Sequence, residues 1–113
     1  MSVLFTQSWD IIQGKDVEYA QFIVDTYLPE MAEMGLIPVG GYYVEVGFGP
    51  RIVAVFSVNE TEEVLKTIAG KRFKDLLRLL KTIVMNYRGS VLEPTGAVKR
   101  GKYTIQKGVW KLN

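Results

Sequence analysis

The chain has 113 residues, 48% of them apolar and 12% aromatic, and 14 basic against 12 acidic side chains give a formal net charge of +2. That size supports one folded domain with a single core. It contains neither cysteine nor histidine, which excludes disulfides, thiolate chemistry, the commonest metal and haem ligand and the ordinary acid/base residue, so no metal site and no cofactor is expected.

Charge is unevenly spread: residues 1–98 hold nine basic and twelve acidic side chains, residues 99–113 five basic and none acidic. No apolar run approaches the roughly 18 residues of a membrane span, and the first dozen residues alternate instead of forming a basic start with an apolar block. A cytoplasmic protein without a membrane partner is expected.

In chain order, Val3 to Ile12 places Val3, Phe5, Gln7, Trp9 and Ile11 on one side and Leu4, Thr6, Ser8, Asp10 and Ile12 on the other, which predicts a strand with polar positions on each face. Gln13-Gly14-Lys15 breaks it. Asp16 is placed to cap a helix over about 16–34, in which Val17, Ala20, Val24, Tyr27, Leu28, Met31 and Met34 recur at helical spacing. Pro29 removes a backbone donor inside that pattern, so a kink is expected, and Gly35 is placed as a left-handed cap.

Val39 to Val58 reads as a β-hairpin turning at Gly47-Phe48-Gly49-Pro50. With Val46 opposite Arg51, Tyr42, Val44 and Val46 share a face with Arg51, Val53, Val55 and Ser57. Tyr43 and Glu45 then share the other with Ile52, Ala54, Phe56 and Val58. The second arm is apolar on both faces and is therefore central, with the first arm nearer an edge.

Asn59 followed by Glu62 resembles a capping box for a short helix over about 60–69. Beyond Gly70, Phe73, Leu76, Leu77, Leu80, Ile83, Val84 and Tyr87 keep helical spacing, predicting a segment that runs to Arg88-Gly89 with a basic outer face. Ser90 to Glu93 reads as a short strand closed by Pro94-Thr95-Gly96. In the tail, the pattern of Tyr103, Ile105, Val109, Trp110 and Leu112 predicts a strand that packs, so nucleic acid is not an expected partner despite the basic charge.

The order β-α-β-β-α-β predicts an α+β, ferredoxin-like domain over residues 1–96, a four-stranded antiparallel sheet with two helices on one face. Residues 97–113 form a basic C-terminal extension, expected to be strand-like and to pack on a dimer partner. Two helices cover one sheet face while the third strand is apolar on both, so a homodimer through the open face is expected.

By layout, residues 3–96 resemble the dimeric α/β-barrel proteins, the group that includes antibiotic-biosynthesis-type monooxygenases, haem-degrading monooxygenases and muconolactone isomerases. The shared features are Leu28-Pro29-Glu30 and Met34-Gly35-Leu36 leading into a Gly-rich second strand, the split second helix, and Val91-Leu92-Glu93-Pro94-Thr95-Gly96. None is a catalytic motif. The resemblance implies haem degradation only where a histidine ligates haem, which this chain lacks. For the cofactor-independent members it implies asparagine, tryptophan and tyrosine around a phenolic substrate, and this chain has Trp9, Tyr42, Tyr43 and Asn59.

Read from the residues alone, Asp10 and Glu45 are the candidate general bases, since a carboxylate on a sheet lining a cavity is where burial raises a pKa. Trp9, Tyr42, Tyr43 and Phe48 are candidates to line an aromatic pocket, and Arg51 to orient a carboxylate, so a small aromatic molecule or organic acid is the expected ligand. Gly40-Gly41 and Gly47-Phe48-Gly49 open no helix and carry no phosphate-binding pattern. Two classes stay open. One is a ligand-binding or structural dimer. The other is a cofactor-independent monooxygenase or isomerase-type enzyme acting on an aromatic or polyketide-like substrate between sheet and helices.

Overall fold

The computed structural model of the chain describes residues 3–47, 49–93, 97–100, 103–106 and 109–112, the last three segments by their backbone. In order these form β1 (Val3–Ile11), α1 (Asp16–Phe22), a π-helical turn (Ile23–Tyr27), α2 (Leu28–Glu33), β2 (Ile37–Tyr43), β3 (Ile52–Val58), α3 (Thr61–Ala69), α4 (Lys71–Leu80) and β4 (Val84–Leu92). Three short strands follow, β5 (Ala97–Arg100), β6 (Tyr103–Gln106) and β7 (Val109–Leu112). The main sheet has the order β2-β3-β1-β4 with every pair antiparallel, and β5-β6-β7 form a sheet of their own.

Alternation along the strands sorts the core. Phe5, Gln7 and Trp9 of β1 are buried, as are Ala54, Phe56 and Val58 of β3, and the register sets Phe5 opposite Phe56 and Gln7 opposite Ala54. These residues face the helices, which close over them with Tyr27, Met31, Val64, Phe73, Leu76 and Leu80. The opposite face carries Leu4, Thr6, Ser8, Val53, Val55 and Ser57, none fully buried. Among the described residues no helix is long and apolar enough to cross a membrane.

The hairpin is tighter than expected: Tyr42 lies opposite Val53, and the Val44 N–H donates to the Arg51 carbonyl at 2.7 Å. The pairing is displaced by two residues from one with Val46 opposite Arg51, and an even slip preserves which residues share a face. It also ends β2 at Tyr43, so Glu45 lies in the loop and not on the strand. The irregularity expected at Pro29 takes the form of the π-helical turn just before it, in which the Leu28 N–H donates to the Ile23 carbonyl. The helical backbone runs unbroken from α1 through that turn into α2, and its extra residue accommodates Pro29, which cannot donate to the preceding turn.

Gly35 holds φ +88°. The Leu36 and Gly35 N–H groups donate to the carbonyls of Met31 and Ala32 at 2.9 and 3.0 Å, which closes α2 in a Schellman turn over the buried Met31–Leu36 pair. Two expected caps do not form. Asp16 is the first helical residue, after Lys15, and acts on the helix dipole from within the first turn. The residue preceding α3 is Glu60, with no side-chain cap, so Asn59 sits one position too early for a capping box.

The largest correction concerns residues 81–89, expected to be helical. α4 ends at Leu80, a turn follows in which Thr82 Oγ1 donates to the Leu79 carbonyl at 2.7 Å, and Val84 opens a nine-residue strand along β1. At Asn86, φ is +57° and the register with β1 shifts between Ser8 and Asp10, which marks a β-bulge. The basic outer face of α4 is largely paired: Arg72 bridges Glu30 and Glu33 at 2.7 Å each, and Lys71 and Arg78 both contact Asp75. Pairing of this kind weakens any field that would steer anions.

Candidate functional site

The bulge and the alternation of β1 together build an aromatic cluster on the helix face. Trp9 is fully buried, stacks nearly parallel to Tyr87 at 6.3 Å between ring centroids, and receives Tyr19 and Tyr27 edge-on. Without the extra residue at Asn86, Tyr87 would point to the open face. Gln7, the buried polar side chain of the described core, satisfies two of these phenols at once. Its carbonyl accepts from the Tyr27 hydroxyl at 2.8 Å, and its amide donates to the Tyr87 hydroxyl. Burial pushes the hydroxyls of Tyr27, Tyr87 and Tyr19 above the ordinary phenol value, so all three stay neutral at pH 7.

One side of this cluster opens into a pocket of about 250 Å³ between the first helix and the sheet. Trp9, Ile52, Ala54 and Phe56 form its floor. Tyr19, Ile23 and Leu28 roof it from α1, the π turn and α2, and Pro38 to Gly41 of the edge strand form its rim. Among the described residues no charged side chain lines it. Its polar feature is a pair: the Trp9 indole N–H donates to the Tyr19 hydroxyl oxygen at 2.9 Å. At Gly41, paired with the inward-facing Ala54, an added Cβ would meet no atom within 4 Å. The missing side chain there keeps the rim open.

The residues singled out from the sequence do not converge. Trp9 lines the pocket. Tyr43 shares its sheet face but is exposed at the strand end, and it contributes to raising the Tyr19 hydroxyl, after burial. Tyr42 and Asp10 lie on the other face of the sheet, Arg51 is exposed just before β3, Glu45 is exposed in the loop, and Phe48 lies outside the described residues. Asn59 is exposed after β3, away from the pocket lining.

Asp10 belongs to a separate, polar hollow of about 410 Å³ with Gly49, Pro50, Asn86 and Arg88. Its carboxylate accepts from the Asn86 amide at 3.0 Å and from the Arg51 N–H at 2.9 Å. These donors hold it below the ordinary carboxylate value, the reverse of what a base at neutral pH needs. The sequence pattern does not single out Tyr19, Gln7, Tyr27 and Tyr87 as site residues. Tyr19 carries a signal, since it lies one turn before Ile23 and two before Tyr27, and these residues face the core while Val17, Ala20 and Val24 of the expected stripe are exposed.

No family model and no curated protein matches this sequence. Solved structures do share its fold. A NIPSNAP family protein from Agrobacterium tumefaciens aligns with a TM-score of 0.63 at 15% identity, over 84% of this chain and 94% of that one. An EthD family protein from Bacillus halodurans aligns at 0.65 and 10% identity, over 84% of this chain and all of that one. A putative monooxygenase from Lactobacillus acidophilus aligns at 0.55 and 14% identity, over 89% of this chain and about half, 49%, of that one. The resemblance to the dimeric α/β-barrel group holds at the level of fold, and no specific activity follows from it.

Proposed function

We propose that this chain is a homodimeric cytoplasmic protein that binds a small, neutral, largely apolar molecule of aromatic size in the pocket under the first helix. The observation that carries this reading is the pocket itself: about 250 Å³, walled by apolar and aromatic groups, with the hydrogen-bonded Trp9–Tyr19 pair in its lining. The lack of a charged lining residue among those described favours a neutral aromatic molecule over an organic acid, because a carboxylate would be desolvated against this lining without a partner. A thermal-shift screen of phenols, quinones and small organic acids tests it. A true ligand at 100 times its dissociation constant adds about 2.7 kcal/mol, and a flat screen overturns the reading.

A second reading, a cofactor-independent enzyme acting on such a molecule, is favoured by one observation, the neutral Tyr19 phenol of the pocket roof, held by Trp9. In that reading Tyr19 orients the substrate. Asp10 and Glu45 serve as bases only toward a substrate seated outside this pocket, since neither lines it.

A further inference from the structure

The Trp9–Tyr19 pair has a direction. The indole N–H can only donate, so at 2.9 Å it takes one lone pair of the Tyr19 oxygen and leaves the phenolic proton free to be given elsewhere. Among the described residues that proton has no acceptor, and Tyr19 is one of the residues that line the pocket. A hydroxyl that already accepts a hydrogen bond is a stronger donor, because the two bonds polarise one another. The rest of the lining offers apolar side chains and the bare backbone of Gly40 and Gly41.

We infer that the pocket selects a neutral aromatic ligand bearing a carbonyl acceptor, with Tyr19 as the specificity-determining donor and Trp9 as the residue that aims it. This rests on the pocket reading above and narrows it from shape to chemistry. The carbonyl oxygen accepts a hydrogen bond from the Tyr19 hydroxyl, the ring lies against Ile52, Ala54 and Phe56, and the rim at Gly41 admits its far edge.

The test compares acetophenone with α-methylstyrene, which has nearly the same shape with a CH₂ in place of the oxygen. Affinities are measured by NMR titration of the full-length protein, following the Trp9 indole N–H resonance. Acetophenone is expected to bind about three- to tenfold more tightly, the worth of one neutral hydrogen bond, and to move that resonance further than the hydrocarbon at saturation. Tyr19→Phe, with its fold checked by circular dichroism, removes the preference. Gly41→Val, which fills the rim, weakens both probes together.

Equal affinities in the wild-type protein, or a preference that survives Tyr19→Phe, overturn the carbonyl assignment and leave the pocket standing. Binding of neither probe, or affinities untouched by Gly41→Val, overturns the pocket reading and the assignment with it. The wild-type comparison decides the matter even where Tyr19→Phe fails to fold.

Discussion

Trp9 and Asp10 are neighbours in sequence and opposites in environment. Alternation along β1 turns the indole into the core and the carboxylate to the other sheet face, where Asn86 and Arg51 feed it hydrogen bonds. Strand periodicity alone shows that the two part company. Which one meets a cavity depends on the helix side, set by contacts with Tyr19 and Tyr27 that are distant in sequence. Because the folded-state pKa of Asp10 is depressed, its contribution to stability is present above the ordinary value of 3.8 and is lost as pH falls through the folded value. Asp10→Asn is therefore expected to be less stable than the wild type at pH 7, with the gap closing as pH falls below 3.8. Urea midpoints at pH 7, 5 and 3 check this, and a gap that widens on acidification would contradict the hydrogen bonds assigned to the carboxylate.

At the scale of elements, the sequence carried the order of helices and strands, the two-sided β3 and the break at Gly70. It misled where a strand imitates a helix. Period-2 alternation from Val84 would send Asn86 and Arg88 inward, but the bulge inserts one residue and turns Tyr87 inward instead. Val84 and Tyr87 thus stand three apart on one face, the spacing of a helix. The β-branched run Thr82-Ile83-Val84 and the turn-forming Asn86 were the contrary signals. The same boundary decides which leucine matters most. Leu80, wholly buried at the last turn of α4, packs into the core, while Leu77 is only partly buried at its side. Leu80→Ala is expected to cost about 2–5 kcal/mol and Leu77→Ala clearly less. Denaturant midpoints of the two variants rank them, and the reverse order would show that the stripe of α4 has been oriented wrongly.

For the whole molecule, the decisive feature is the sheet face that the helices leave uncovered. Leu4, Val53 and Val55 are only partly buried there, flanked by Ile37, Tyr42 and Leu92 at 51%, 60% and 47% exposure. A sheet face with this much uncovered apolar surface among its serines and threonine is uncommon on a monomer, and a second copy packing sheet to sheet about a two-fold axis covers it most simply. The tail is expected to be strand-like and to pack on the partner. Its three strands pair with one another, so a strand exchange with the partner would use the edges of β5 or β7. Light scattering behind size exclusion is expected to give twice the 12.8 kDa chain mass at micromolar concentration. Val53→Glu sets a charge at the centre of the face, opposite Ser8 and Tyr42, and is expected to return the monomer with its circular dichroism unchanged. A wild-type mass near 12.8 kDa would sink the dimer, and a Val53→Glu dimer as tight as the wild type would move the interface elsewhere. A chain ending at Gly96 separates the tail's part: a raised dissociation constant supports exchange, whereas an unchanged one confines the interface to the four-stranded sheet.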